Sequence, residues 1–176
     1  MLEEKKKPKR INSKAKGNGF ENKVSKLLAA NLAPLCFKRS QMSGAILGGV
    51  NAKNVDDYSI EMRVLFVGDV CPSNEGNGNP KFNFVVECKA YKEAERTEAL
   101  LGGHSLIYKW MNEASTDAAK VDKRGILICK WNNTSLYACV EPDIVLPEGV
   151  KFITLVNGVK VCFLEELLKH TAFWMT

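Results

Sequence analysis

Two acids and a lysine define the chemistry this sequence can support. Asp69 closes one apolar run, and Glu87 and Lys89 alternate in the next, Phe84-Val85-Val86-Glu87-Cys88-Lys89. In an extended strand, residues two apart project from one face, so Glu87 and Lys89 point together while Cys88 points away. Hydrolysing a phosphodiester needs a cation to offset charge on the phosphate and to lower the pKa of an attacking water. Magnesium takes oxygen ligands in an octahedral shell and keeps several waters, so one or two carboxylates and a backbone carbonyl suffice. Asp69 and Glu87 can supply the carboxylates, and the Cys88 carbonyl lies between Glu87 and Lys89. Lys89 can hold or deprotonate the attacking water and stabilise developing charge. Taken alone, an acid and a lysine on one strand face also describe a solvated ion pair of little energetic weight. The surrounding elements therefore decide between the two.

From Asn18 the apolar residues Phe20, Val24, Leu27 and Leu28 follow helical spacing, with Asn18 as N-cap and Pro34 shortly beyond the end. On that helix Glu21 falls about 20° from Leu28, at the flank of the apolar stripe. Residues 35–39 form a short strand candidate, and the Gly-containing stretch 43–57 reads as loop. Residues 60–70 and 82–89 read as antiparallel strands joined by a stretch dense in Asn, Gly and Pro. A helical region follows over 93–119, broken at Gly102-Gly103, with His104 among Leu100, Ile107 and Met111 as a core histidine. Residues 125–131 and 136–140 read as a second strand pair, and residues 151–156 and 159–163 flank Asn157-Gly158, a strong hairpin signal. Residues 164–170 form a closing helix. The order predicts an α/β chain: a central mixed β-sheet flanked by helices, an αβββαβ core with a C-terminal β-hairpin and helix.

The chain has 176 residues, 45% hydrophobic, which suits one globular domain with a substantial core. Its net charge of +5 is unevenly placed. Residues 1–16 hold seven of the 25 basic residues and two of the 20 acids, leaving 18 of each in residues 17–176. The division expected is a basic disordered arm over 1–16 and a single domain over 17–176. Such an arm can neutralise phosphates in a salt-sensitive way without reading bases, or serve only to keep the chain soluble. With no long apolar run and no signal-peptide core, the expectation is an intracellular protein with no membrane partner, cytoplasmic, or nuclear in a eukaryotic host given the run Lys5-Lys6-Lys7-Pro8-Lys9-Arg10. The six scattered cysteines read as free thiols packed as small hydrophobes, and two histidines leave little for a zinc site.

The string Asp69, seventeen residues, then Glu87-Cys88-Lys89 resembles the PD-(D/E)XK nuclease superfamily, whose motif is an acid, a variable hairpin, and an acid-x-lysine on the next strand. Lys16-Gly17-Asn18-Gly19-Phe20-Glu21 looks like the start of that superfamily's first helix, whose glutamate joins the metal site in many members. Arg39-Ser40-Gln41-Met42-Ser43-Gly44 is similar to the following segment of Holliday junction resolvases of the archaeal and phage type, and residues 126–132 resemble the strand after the second helix in phage nucleases. The resemblance covers residues 16–141 in order. It departs from the resolvases in the 24 residues between Gly44 and Asp69, in Gly68 where a proline is usual, and in the segment after Lys151.

What the resemblance implies is a restriction-endonuclease-like fold and an Mg2+-dependent DNA endonuclease, with Mn2+ able to substitute, leaving 5′-phosphate and 3′-hydroxyl ends. Asp69, Glu87 and the Cys88 carbonyl would bind the metal, Glu21 would support a ligand water or second metal, and Lys89 would position the water. Lys14, Lys16, Arg39 and Ser43 would contact DNA. Asp56, Asp57 and Glu61 are the alternative acids. The first expectation is a structure-selective nuclease acting on Holliday junctions or branched DNA as a homodimer. The alternatives are a less selective phage or mobile-element nuclease acting on duplex ends or single strands, and a nuclease-like module that only binds nucleic acid.

Overall fold

The computed structural model describes residues 13–40, 57–76 and 78–176. Its sheet is mixed and mostly antiparallel, in the order β1-β2-β3-β4-β5-β7-β6. The strands are β1 Phe37–Arg39, β2 Val70–Pro72, β3 Phe84–Tyr91, β4 Arg124–Trp131, β5 Tyr137–Val140, β6 Phe152–Thr154 and β7 Lys160–Phe163. Only β3 and β4 run parallel, paired over eight residues from Phe84↔Arg124 to Tyr91↔Trp131. A parallel pair needs a crossover, and here it is α4, Leu106–Ala119, preceded by the short α3, Thr97–Leu101.

The long central strands are buried on both faces, and the pleat divides their residues between two layers. Phe84, Val86 and Cys88 of β3 join Ile126 and Ile128 of β4 beneath α1, Ser13–Asn31, which contributes Phe20, Val24 and Leu28. On the opposite face Leu127 and Cys129 pack under Ile107, Trp110, Met111 and Ala114 of α4. Helix α4 lies unusually close to the sheet because β4 offers it Gly125. A Cβ there would stand 2.8 Å from the Ser115 amide nitrogen and 2.9 Å from the Ala114 carbonyl carbon.

Two local features anchor β3. The buried Lys123 ammonium bonds both Glu75 carboxylate oxygens at 2.8 and 2.9 Å, and Glu75 also accepts the Phe82 N–H at 2.9 Å. The β2–β3 connection is thereby tied to the turn before β4. The C-terminal helices α5 Leu164–Leu167 and α6 Thr171–Trp174 then bring the fully buried Trp174 onto Phe82 and Phe84, with ring centroids at 6.1 and 5.6 Å.

Several expectations need correction. Residues 60–70 are not one strand: α2, Ile60–Val64, occupies the first half and β2 begins only at Val70. The Ser59 hydroxyl accepts the Met62 N–H at 3.4 Å as an N-cap, and Val64 and Val67 pack on Val85, Ala118 and Val121. Short apolar runs are ambiguous between helix and strand, and here the cap and one-sided packing favour helix. Helix α1 begins at Ser13, so Asn18 is interior rather than a cap, and Lys14 and Lys16, assigned to the arm, are carried on the helix. His104 is exposed in the turn between α3 and α4 instead of buried in the core. Five of the six cysteines are buried and all six are free, with Cys36 exposed. The Asn157-Gly158 hairpin forms between β6 and β7, with Gly158 at φ 88°.

Replacing Gly125 by alanine should push α4 off β4. The expected loss is about 1–3 kcal/mol, as for other overpacked sites, read as a lowered denaturant midpoint; an unchanged midpoint would contradict the close helix contact.

Candidate active site

Strands β2 and β3 pair at a single position, Val70↔Val86, and then diverge. Asp69 occupies the gap. Its N–H donates to the Val86 carbonyl at 2.7 Å, and its carboxylate Oδ2 accepts the Cys88 N–H at 2.8 Å, where the next strand bond would otherwise fall. Gly68 makes this possible: at φ 67° it takes a left-handed turn, and a Cβ would lie 2.7 Å from Val85 Cγ1 and 2.8 Å from the Val86 carbonyl oxygen. The proline-to-glycine departure noted in the sequence thus has a local cause. Because a strand residue directs its N–H and C=O to the same edge, the Cys88 carbonyl faces the edge on which Asp69 sits.

Glu87 and Lys89 project from the other pleat, toward α4, as their alternation requires. Lys89 Nζ lies 2.5 Å from Glu87 Oε1 and 3.2 Å from Glu113 Oε2. Burial, then the neighbouring Asp69 charge, push the Glu87 carboxyl up to about 7, against the opposing pull of Lys89; Asp117 adds to the rise. Burial acts to lower the Lys89 ammonium, but Glu87 and Glu113 beside it outweigh that and leave it raised above the ordinary lysine range. Lys89 is therefore a fixed cation at neutral pH rather than a proton acceptor.

The α4 contacts form a register that sequence reasoning missed. Trp110 meets Tyr91 with ring centroids at 4.8 Å, Glu113 meets Lys89, and the Asp117 charge bears on Glu87. Helix positions i, i+3 and i+7 thus follow strand positions 91, 89 and 87 in reverse, as expected of a crossover helix antiparallel to its strand. That spacing was the available signal.

Glu21 stands on the α1 side. It pairs with Arg39 Nη1 at 3.3 Å, and Arg39 also reaches Asn18 Oδ1 at 3.4 Å. Together with Asp69 and Glu87 it helps raise the buried Cys88 thiol, after burial itself. The structure thus gathers Asp69, Glu87, Cys88 and Lys89 at one point of β3, with Glu21 and Arg39 across the sheet. Lys16 is exposed on α1, Lys14 lies in its first turn, and Ser43 and Asp56 fall outside the described residues. Of the other acids, Asp57 is exposed before α2 and Glu61 lies on α2.

Among the described residues, no three His, Cys, Asp or Glu side chains gather as a metal-binding group. The available donors are two carboxylates and a carbonyl oxygen. That all-oxygen set suits a hard cation retaining several waters, such as magnesium, and does not suit zinc. The repulsion between Asp69 and Glu87 is what such a cation would relieve. Among the described residues, no helix is long and apolar enough to cross a membrane.

The raised Glu87 has a measurable consequence. Between about 4.5 and 7 the folded chain holds a proton there that the unfolded chain has released, so stability falls as pH rises through that window. With a chelator present, the denaturant midpoint should rise on acidifying from the upper to the lower end of that window, and Glu87→Gln should flatten the dependence. An identical slope in the variant would contradict the assignment.

Residues 12–156 match the model of a family described as "Phage putative PDDEXK endonuclease". No curated protein and no solved structure matches.

Proposed function

The chain belongs to this family of phage PDDEXK endonucleases, and on that premise we propose that it is a divalent-metal-dependent DNA endonuclease whose centre is Asp69, Glu87, the Cys88 carbonyl and Lys89. The observation that carries this reading is the convergence of Asp69 on Glu87 and Cys88 at the point where β2 leaves β3. The mixed sheet, with α1 on one face and the α4 crossover on the other, is compatible with a restriction-endonuclease-like core.

Asp69, Glu87 and the Cys88 carbonyl would hold Mg2+, or Mn2+ in its place. When bound, the ion would offset phosphate charge and lower the pKa of an attacking water. The protein's own groups do the positioning. Lys89, a fixed ammonium, donates hydrogen bonds to the attacking water and to the phosphate oxygens as charge develops on them. Glu113 holds Lys89 from the α4 side and keeps it over the strand when Glu87 is engaged elsewhere, which makes Glu113 a positioning residue. Glu21, held by Arg39, supplies a further acid from the α1 side and supports a ligand water. Lys14, Lys16, Arg39 and Ser43, with the basic residues 1–12, contribute sequence-independent attraction to phosphates.

Cleavage of a four-way junction by paired, symmetric nicks would require a two-fold dimer. A substrate panel of four-way junction, linear duplex and single strand therefore ranks the structure-selective reading against the less selective one. In that panel Lys89→Ala should abolish cutting while DNA binding persists, and Glu113→Gln should lower kcat by about tenfold with KM little changed, as expected for a group acting through a transition-state contact. Cutting that persists in Lys89→Ala, or in excess chelator, would refute the mechanism. Binding without cutting of any substrate in Mg2+ or Mn2+ would identify a binding module instead.

A further inference from the structure

Beyond the proposed catalytic centre, one end of the sheet carries a row of aromatic side chains that the hydrolytic centre does not use. Tyr91 follows Glu87 and Lys89 on the same face of β3, about 7 Å beyond Lys89 at two residues' rise. Its partner in the parallel register is Trp131 at the end of β4. Trp131 meets Tyr137 of β5 with ring centroids at 5.6 Å and planes tilted by 60°, and Tyr137 is paired in register with Phe163 of β7, their rings stacked at 5.5 Å and 27°. Four strands adjacent in the sheet thus place one ring each on the α4 face, over about 14 Å at the usual strand spacing. The two ends of the row are open, with Tyr91 45% and Phe163 43% exposed. Trp110 backs Tyr91 from α4 and fixes its ring.

We infer that this row is a stacking track for unpaired nucleobases, so that the strand entering the catalytic centre does so as single-stranded DNA. Planar bases can stack on the exposed ring at either end of the row, and this is sequence-tolerant because every base has a π-face. A four-stranded sheet with surface aromatics accommodates two or three bases in this way. Lys92 and Lys109, next in the chain to Tyr91 and Trp110, are exposed at the same end. The Lys92–Glu93 contact at 3.5 Å, with both side chains about 80% exposed, is easily exchanged for phosphate. A duplex offers the row only base-pair edges, so the track discriminates by strandedness rather than by sequence. The inference rests on the nuclease reading for its substrate and adds to it the form in which that substrate arrives.

The test uses the full chain with excess chelator, so that binding is read without cleavage, and labelled oligothymidine and blunt duplex of equal length as probes. Tyr91→Leu and Phe163→Leu should each weaken oligothymidine binding by about tenfold and leave duplex binding unchanged. In the unsubstituted protein, oligothymidine should quench tryptophan fluorescence saturably, and Trp131→Phe should remove most of that quench while the protein still binds. Equal weakening on both probes, unaltered oligothymidine affinity in correctly folded leucine variants, or the same quench in Trp131→Phe would overturn the track. Loss of all DNA binding and cutting by the unsubstituted protein would instead refute the nuclease reading. Metal-dependent cutting with ring-independent binding would refute the track alone.

Discussion

The hydrogen bond from the Cys88 N–H to the Asp69 carboxylate is the constraint on which the site depends. A strand edge that loses its neighbour leaves backbone donors to be satisfied, and β3 loses β2 after a single paired residue. Asp69 satisfies the next donor with its side chain, and that fixes a carboxylate beside Glu87. Burial, and then the Asp69 charge, hold the Glu87 carboxyl up at about 7. Lys89 answers the charge from the same pleat, and Glu113 answers Lys89 from the helix above. A charge cluster of this kind costs stability in a structural role, since burial penalises each ion. A cation bound between the acids would offset that cost.

The rest of the fold keeps this cluster in register. Gly68 lets Asp69 approach β3, and Gly125 lets α4 lie close enough for Glu113 and Asp117 to act on β3. The Glu75–Lys123 pair and the Trp174 cluster hold the entry to β3. Most of these residues lie outside the charge cluster, yet each bears on where Glu87 and Lys89 stand. Precision at a site comes from elements that cannot move independently, and β3 is buried on both faces between α1 and α4.

Much of this was legible beforehand, and the reasons differ by element. The acid-x-lysine strand, the helical region after it, the strand over 125–131 and the Asn157-Gly158 hairpin follow from strong periodic or turn signals, whereas the parallel pairing of β3 with β4 emerges only in the fold. Residues 60–70 were misread because β-branched and aromatic residues in a short run fit a strand or a turn of helix equally well, and the Ser59 cap decided it. His104 was misplaced because a helix extrapolated through Gly102-Gly103 carries it inward, whereas the turn carries it out. Glu113 and Asp117 were overlooked because their relation to β3 exists only once the helix is laid over the strand. The place of Glu21 on the apolar flank of α1 was readable from helical spacing, but its ion pair with Arg39 needs the tertiary contact between α1 and β1.

The most direct test of the central claim is a crystal of the full chain soaked in manganese, with the anomalous signal used to locate the ion. The account predicts a peak bounded by the Asp69 and Glu87 carboxylates and the Cys88 carbonyl oxygen, lost in Asp69→Asn. A manganese peak elsewhere, or one that persists at the same place in Asp69→Asn, would contradict it.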